Sequence, residues 1–422
     1  MDKKIKIGLV GLGTVGSGVF KTLKNFQYIE IVKIAVKNIN KPRDIAGLDN
    51  SILTDNPFEI ATNPDIDILV ELIGGIEPAF DIIKTAIENG KHIVTANKEL
   101  LAKKGKELFD FAESHNRVVL YEAAIAGGIP LIMPIKTILA GNKIDKIEAI
   151  VNGTTNYILT KMDVQGASYS DVLKEAQELG YAEADPTGDV EGFDAAYKIA
   201  TLATITFKKR INIDKIYREG ITHIRPQDMK AANDLGYKIK LIASGRMDKD
   251  GRADVRVHPM LVSKNTSLAH TDYVTNAVSL SGHPIGDITL SGPGAGEFPT
   301  ASSVVGDILS ISSELGNSDY ILPMMRYRYN EEAQTVDISE TFNKYYISIN
   351  AKNNIGVIGK IGTICAEYGI SLASIVQKCV SEDNTADITV ITEIASEKAM
   401  QNAIKLIEQD GNVVNSLIRV QV

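Results

Sequence analysis

Apolar positions follow two rhythms along this chain. In the amino-terminal third, short apolar runs at Ile5–Val10, Ile31–Val36, Ile66–Val70, His92–Thr95 and Val118–Tyr121 alternate with stretches of helical period that reach Leu23, reach Glu88 and span Glu99–His115. Runs without polar alternation suit strands buried on both faces, and strands separated by helices pair in parallel, so a helix-covered parallel sheet is predicted. A further strand is expected at Ile144–Val151. From about Leu241 to Leu290 the pattern changes to alternating segments punctuated by turns, such as Val255-Arg256-Val257 and Gly251-Arg252, which predict an antiparallel sheet suited to a subunit contact. Pro323–Tyr327 and the polar run to Glu340 read as a crossing to a separate unit. Beyond it, strand Tyr345–Ala351, helix Gly356–Tyr368, strands Leu372–Val380 and Ala386–Ile391, helix Ser396–Gln409 and strand Val413–Val422 make a ferredoxin-like βαββαβ order.

Composition narrows the chemistry. A chain of 422 residues is too long for one ordinary core, so two or three domains are expected. With 44% hydrophobic and 23% charged residues, no long apolar run, and a start, MDKKIKIGLV, that passes directly into a strand, neither a membrane span nor a signal peptide is expected. A cytoplasmic location follows as the expectation. The net charge of −8, without a long basic block, argues against a nucleic-acid partner. Cys365 and Cys379 are the only cysteines, and the six histidines never approach a metal-ligand spacing. Chemistry must come from carboxylates, lysines, backbone amides or a cofactor.

A cofactor cradle follows the first strand. Gly11-Leu12-Gly13-Thr14-Val15-Gly16 stands between a buried strand and a helix, the context in which a glycine-rich turn binds a dinucleotide. Gly11 makes the turn, Gly13 admits the pyrophosphate, Gly16 lets helix and strand approach, and the helix terminus offers free amides. After the second strand, where NAD-selective folds place an acid, the sequence has Lys37 and Asn38, with Arg43 further on; this favours NADP while leaving NAD open. Lys98, in the loop Ala96-Asn97-Lys98, is placed either at the nicotinamide edge or at the cap of the next helix.

The middle of the chain offers paired readings. Tyr121 to Pro130 puts Glu122 before small residues whose carbonyls suit a hard cation or a plain tight turn. Asn152-Gly153-Thr154-Thr155-Asn156 either binds a substrate carboxylate or caps a helix. Gly292 to Glu297, ahead of the helix Phe298–Leu309, either closes over the dinucleotide or forms an interdomain turn. Gly180 to Lys198 sends acids and a lysine into an otherwise apolar helix, where Asp194 and Lys198 share one face four residues apart. Such charges are costly unless they face a polar cleft or form an internal pair. In the C-terminal unit the turn Asn353-Asn354-Ile355-Gly356 offers amides to a small amino-acid effector, a pure assembly module being the alternative.

A dinucleotide cradle without metal or thiol chemistry fits hydride transfer, in which a base removes the alcohol proton. Lysine suits that role if neighbouring charge or desolvation lowers its pKa, as Lys98 facing Lys198 would do. Glu183 and Asp194 then grip a cationic amino group or hold a lysine, whereas Asp185, Asp189 and Glu191 are read as loop or helix-start acids.

The segments GLGTVG, TANKELLA, YEAAIAGGIP, NGTTNYIL, GYAEADPTGDVEGFDAAYK and GPGAGEFPTASSVVGD make the chain similar to the homoserine dehydrogenases, in the long form with a regulatory ACT domain. The resemblance implies an α/β architecture: a Rossmann-type dinucleotide-binding domain over residues 1–135, closed by about 296–320; a mixed α+β substrate-binding and dimerisation domain over 136–295; and a ferredoxin-like ACT domain over 343–422. It implies NAD(P)-dependent interconversion of L-homoserine and L-aspartate 4-semialdehyde by a homodimer or homotetramer. Lys198 resembles the proton donor for aldehyde reduction, Lys98 a contributor to the same substrate and cofactor site, and Glu183 and Asp194 substrate binders. Glu122 with the backbones of Ile125, Gly127 and Ile129 resembles a monovalent cation site, expected to hold sodium, and Gly296 a cofactor contact. Threonine is the implied effector. The rivals are an amino-acid-responsive NADP-binding protein without catalysis, and another ACT-containing hydroxy-acid dehydrogenase; the latter needs a catalytic histidine, and His223, His258, His270 and His283 lack the context for one.

Overall fold

The computed structural model describes residues 4–315, 329, 331–380 and 384–421, so the proposed crossing at Pro323–Tyr327 lies outside the described residues. The chain divides into two compact units, one made of Met1–Asp145, Tyr197–Ile213 and Leu280–Ala333, the other of Lys146–Ala196, Asp214–Ser279 and Gln334–Val422. No helix among the described residues is long and apolar enough to cross a membrane.

The first unit is built on six parallel strands, β1 (Ile5–Val10), β2 (Ile29–Ala35), β3 (Leu53–Thr54), β4 (Ile68–Glu71), β5 (His92–Thr95) and β6 (Val119–Leu120), in the order β3-β2-β1-β4-β5-β6. The order reverses direction between β1 and β4, and in open α/β sheets ligands bind in the crevice at such a switch point. The apolar runs are the sheet core: Ile7, Leu9, Ile34, Ile68, Val70 and Val94 are all fully buried. Helices α1 (Thr14–Leu23), α2 (Phe58–Thr62), α3 (Ala79–Glu88), α4 (Lys98–Ser114) and the short α5 (Ile132–Lys136) connect or follow these strands.

The second unit contains β7 (Lys143–Ile150, whose first residues belong to unit one), α6 (Gly153–Gln165), α7 (Tyr169–Glu178), α8 (Thr187–Val190) and the start of α9 (Phe193–Phe207). It continues with β8 (Tyr217–Arg218), α10 (Pro226–Asp234), β9 (Tyr237–Met247), β10 (Ala253–Ser263) and β11 (Thr275–His283, whose residues from Leu280 on belong to unit one). The hairpin partner β12 (Gly286–Pro293) and helix α11 (Glu297–Glu314) return to the first unit, where Ala301, Val304 and Ile308 of α11 join the sheet core. Gly18 of α1 permits that return, because a Cβ there would lie 2.6 Å from the Glu297 carbonyl oxygen.

Residues 342–421 supply β13 (Phe342–Lys352), α12 (Val357–Glu367), β14 (Leu372–Val380), β15 (Thr385–Thr392), β16 (Ala395–Ser396), α13 (Glu397–Gln409) and β17 (Val413–Val420). Their sheet order β17-β13-β15-β14 is the ferredoxin-like arrangement expected from the pattern. Apolar residues of β13, β15 and α13, among them Ile347, Ile349, Ile388, Val390, Met400 and Ile407, form a core of their own.

This sheet does not stop at its own edge. β17 pairs in parallel with β10 at Met260↔Arg419 and Leu261↔Val420, so one sheet runs β7-β9-β10-β17-β13-β15-β14. A second tie lies at Asp228 of α10, whose fully buried carboxylate accepts bonds from Arg225, from the Tyr346 hydroxyl at 3.0 Å and from Ser416 at 2.7 Å. Deleting residues 342–422 would bare the β10 edge and strip Asp228 of two donors. The expected outcome is a melting temperature lower by about 5 °C or more together with self-association, read by scanning calorimetry and light scattering; an unchanged melting temperature would contradict this account.

Candidate active site

The glycines after β1 divide into two kinds. Gly11 has a φ of 106°, a left-handed conformation that favours glycine, and a Cβ at Gly16 would lie 2.2 Å from the Gly11 carbonyl oxygen. Gly13, the N-cap of α1, has nothing within 4 Å of its missing Cβ and offers no side-chain cap, so open space lies beside the start of the helix. That space is a cavity of about 1040 Å³ whose wall includes Gly11, Gly13, Lys37, Lys41, Arg43 and Asp55. Thr14 and Val15 begin α1. Arg43 is folded back, donating to the Asn38 and Lys41 carbonyls at 2.7 and 2.8 Å. Asp55, just beyond β3, adds a carboxylate to the same wall.

At the end of β4 a buried acid holds the loop that follows. Glu71 is fully buried, and its Oε1 accepts the Ile73 and Gly74 amides at 2.8 and 3.0 Å while its Oε2 accepts the Thr95 hydroxyl at 2.6 Å. Thr95 in turn accepts the Asn97 amide, and Asn97 donates to the Gly75 carbonyl at 2.6 Å and caps α4 by accepting the Leu100 amide. Lys98 is therefore the first residue of a helix whose start is fixed through Glu71. Asn97, not Lys98, supplies the cap, so the capping alternative for Lys98 falls away.

The acidic segment resolves around Asn152. Its Oδ1 caps α6 by accepting the Thr155 amide at 2.8 Å, as one of the two sequence readings has it, and its Nδ2 reaches Asp189 at 2.7 Å and Asp194 at 2.8 Å. An amide side chain alone carries both acceptor and donors for this. Asp194 is 8% exposed at the start of α9, and Lys198, half-buried, follows one turn later on the same helix. Glu183 is exposed between α7 and α8. Asp185 is the loop acid expected, accepting from Thr187. Asp189 is not merely that: it shares Asn152 with Asp194.

In the loop after β6, Glu122 is held by the backbone that follows it. Its carboxylate accepts the amides of Leu131, Ile132 and Met133 at 2.5, 2.8 and 2.7 Å, holding the start of α5. The peptide groups of Ile125, Gly127 and Ile129 follow in the same loop. No cluster of three or more His, Cys, Asp or Glu side chains suited to a metal occurs among the described residues, and neutral carbonyls suit a weakly held monovalent ion. Ala126 and Gly127, with φ of 52° and 51°, curl this loop, and Ser303 donates to the Gly127 carbonyl at 2.7 Å. Burial and the Glu122 charge push the neighbouring Asp307 carboxyl well above its ordinary range, while burial pulls the Lys136 ammonium down to about 8. Gly294 lies against the same loop, its carbonyl 2.4 Å from where a Gly127 Cβ would stand, and Gly296, with φ of 118°, starts α11.

In the C-terminal unit, Asn353 accepts from Gln377 at 2.9 Å and its amide bonds to Asn384, while Gly356, left-handed at φ 92°, starts α12 without a side-chain cap. Ile355 between them is fully exposed.

The glycine geometry separates folding from binding. Gly16→Ala is expected to lower the melting temperature by about 5 °C or more, because its Cβ collides with backbone. Gly13→Ala is expected to keep the wild-type melting temperature yet weaken dinucleotide binding about tenfold or more, as measured by fluorescence titration. Equal affinity in Gly13→Ala would show that the phosphates do not approach there.

The comparisons agree along the whole chain. Residues 11–122 match the model for the homoserine dehydrogenase NAD-binding domain, 130–309 the homoserine dehydrogenase model, and 345–412 the ACT domain model. The homoserine dehydrogenase of Synechocystis is 42% identical, covering 99% of each chain, and that of Neisseria gonorrhoeae is 40% identical, covering 96% of this chain and 95% of its own. The crystal structure of a homoserine dehydrogenase from Thiobacillus denitrificans superposes with a TM-score of 0.93 at 39% identity, covering 99% of this chain and 98% of that one. A hyperthermophilic archaeal homoserine dehydrogenase solved with NADPH gives 0.62 at 27% identity, over 74% of this chain and 98% of its own. Carrying both catalytic-region models and the ACT module, the chain belongs to the homoserine dehydrogenase family.

Proposed function

We propose that this oxidoreductase interconverts L-homoserine and L-aspartate 4-semialdehyde with Lys198 as the proton-transfer residue. The observation that carries the reading is the start of α9: Asp194 is held by Asn152, and Lys198 stands one turn further on the same face. A nicotinamide cofactor held there would supply the acceptor for hydride from the carbinol carbon. Lys198 receives the hydroxyl proton in that direction and returns it to the carbonyl oxygen in the other. Asp194 and Glu183 bind the substrate's ammonium group. Lys98, at the fixed start of α4, contributes charge to the same substrate and cofactor.

The dinucleotide lies along Gly11 to Gly16, with Gly296 as a further contact. Lys37 and Lys41 favour a 2′-phosphate and Asp55 opposes it, so NADP is accepted alongside NAD; the archaeal relative was solved with NADPH. Glu122 with the peptide oxygens of Ile125, Gly127 and Ile129 would hold a monovalent cation, sodium, that stiffens the loop. Threonine binds at Asn353, Asn354 and Gly356 and inhibits, and the active form is a homodimer or homotetramer in the cytoplasm.

In a steady-state assay, wild type is expected to reduce NADP and NAD with homoserine, and threonine is expected to slow it. Lys198→Ala should cut turnover about a hundredfold or more while changing dinucleotide affinity by no more than a few fold. Turnover retained within about threefold would remove the proton-transfer assignment.

A further inference from the structure

Arg419 of β17 is 1% exposed, and such a charge is tolerable only when fully paired. It grips Glu397, the first residue of α13 and itself 2% exposed, in a two-pronged contact of 2.6 and 3.0 Å. Its remaining valence leaves the C-terminal module: Nη1 donates to Glu219 at 2.8 Å and Nη2 to the Tyr217 hydroxyl at 3.2 Å, with the guanidinium 4.9 Å from the Tyr217 ring centre. Burial opposes ionisation of Glu219, but bonding to His223 and the Arg419 charge outweigh it and hold the carboxyl down to about 2.

The alternate residue of β8 faces the other way, as strand alternation requires. Arg218 donates to the Glu191 carbonyl at 2.6 Å and stacks 3.3 Å above the Phe193 ring centre. The Ile221 amide bonds to the Val190 carbonyl at 2.9 Å. Gly220 is packed so closely that a Cβ would lie 2.5 Å from that carbonyl oxygen and 2.9 Å from the Glu191 Cα. The next residue after Phe193 is Asp194.

We propose that Tyr217–Thr222 is a strap by which the Arg419–Glu397 pair of the C-terminal module sets the position of Asp194, making Glu219 and Arg218 positioning residues for substrate binding. The proposal rests on the reading of Asp194 as a substrate binder. It gives the module a physical route to the substrate site: a shift of β17 or α13 carries Arg419, Glu219 must follow to stay paired, and the opposite face of the strap moves residues 190–193.

The test uses the full-length enzyme. Glu219→Gln keeps the shape and weakens the tie; the homoserine KM is expected to rise about fivefold or more with the dinucleotide KM within about twofold. Amides at 190–194 should exchange faster while those of β13 and α13 keep their wild-type rates. Gly220→Ala, which presses on Val190 without touching Arg419, should raise the homoserine KM in the same sense. Unchanged homoserine KM in both variants, or exchange accelerated throughout β13 and α13, overturns the strap. Asp194→Asn separates the two layers: if it leaves the homoserine KM unaltered while Glu219→Gln still loosens 190–194, the substrate role of Asp194 fails and the mechanical link stands.

Discussion

A carboxylate buried at the head of an apolar helix destabilises the fold unless a donor meets it, and Asn152 meets Asp194 at 2.8 Å. The same side chain caps α6 and reaches Asp189 near the end of α8. One residue at the end of β7 thereby joins the sheet, the helix after it and the two helices of the acidic segment. Asp194 cannot move independently of that strand end. In the substrate-binding role proposed for it, Asp194 fixed in this way needs no reorganisation when a ligand arrives.

Glu71 serves the first unit by the same physics. It is an acid at a strand end, fully buried, whose lone pairs are taken by backbone amides of the crevice loop and by Thr95. Through Asn97 it also fixes the start of α4 and so the backbone of Lys98. Each unit thus fastens its loops with a polar side chain rooted in the sheet, and each candidate charge stands directly beside such a root.

Most elements were legible because they obey one period each: unbroken apolar runs became the parallel strands, and the βαββαβ order of the C-terminal part followed its alternation. Helix α10 was missed because its start is marked by Arg225 and Pro226 and buried through Asp228, a polar pattern that reads as loop. The β10–β17 pairing rests on two registered residue pairs far apart in sequence, and no local pattern encodes it. The dual use of Asn152 was half visible, since capping is a local signal whereas its partners Asp189 and Asp194 are 37 and 42 residues away. Glu122 was legible as important and not as a helix-holding acid, because the amides it accepts come from the backbone, which sequence does not distinguish.

The most direct test of the central claim, that Asp194 held by Asn152 reads the substrate, is a double-mutant cycle on the homoserine KM with Asn152→Ala and Asp194→Asn. Coupled residues give non-additive effects. The account predicts that each single variant raises the homoserine KM and that the double variant is no worse than the worse single one. Effects that multiply, or single variants with wild-type KM, would contradict it.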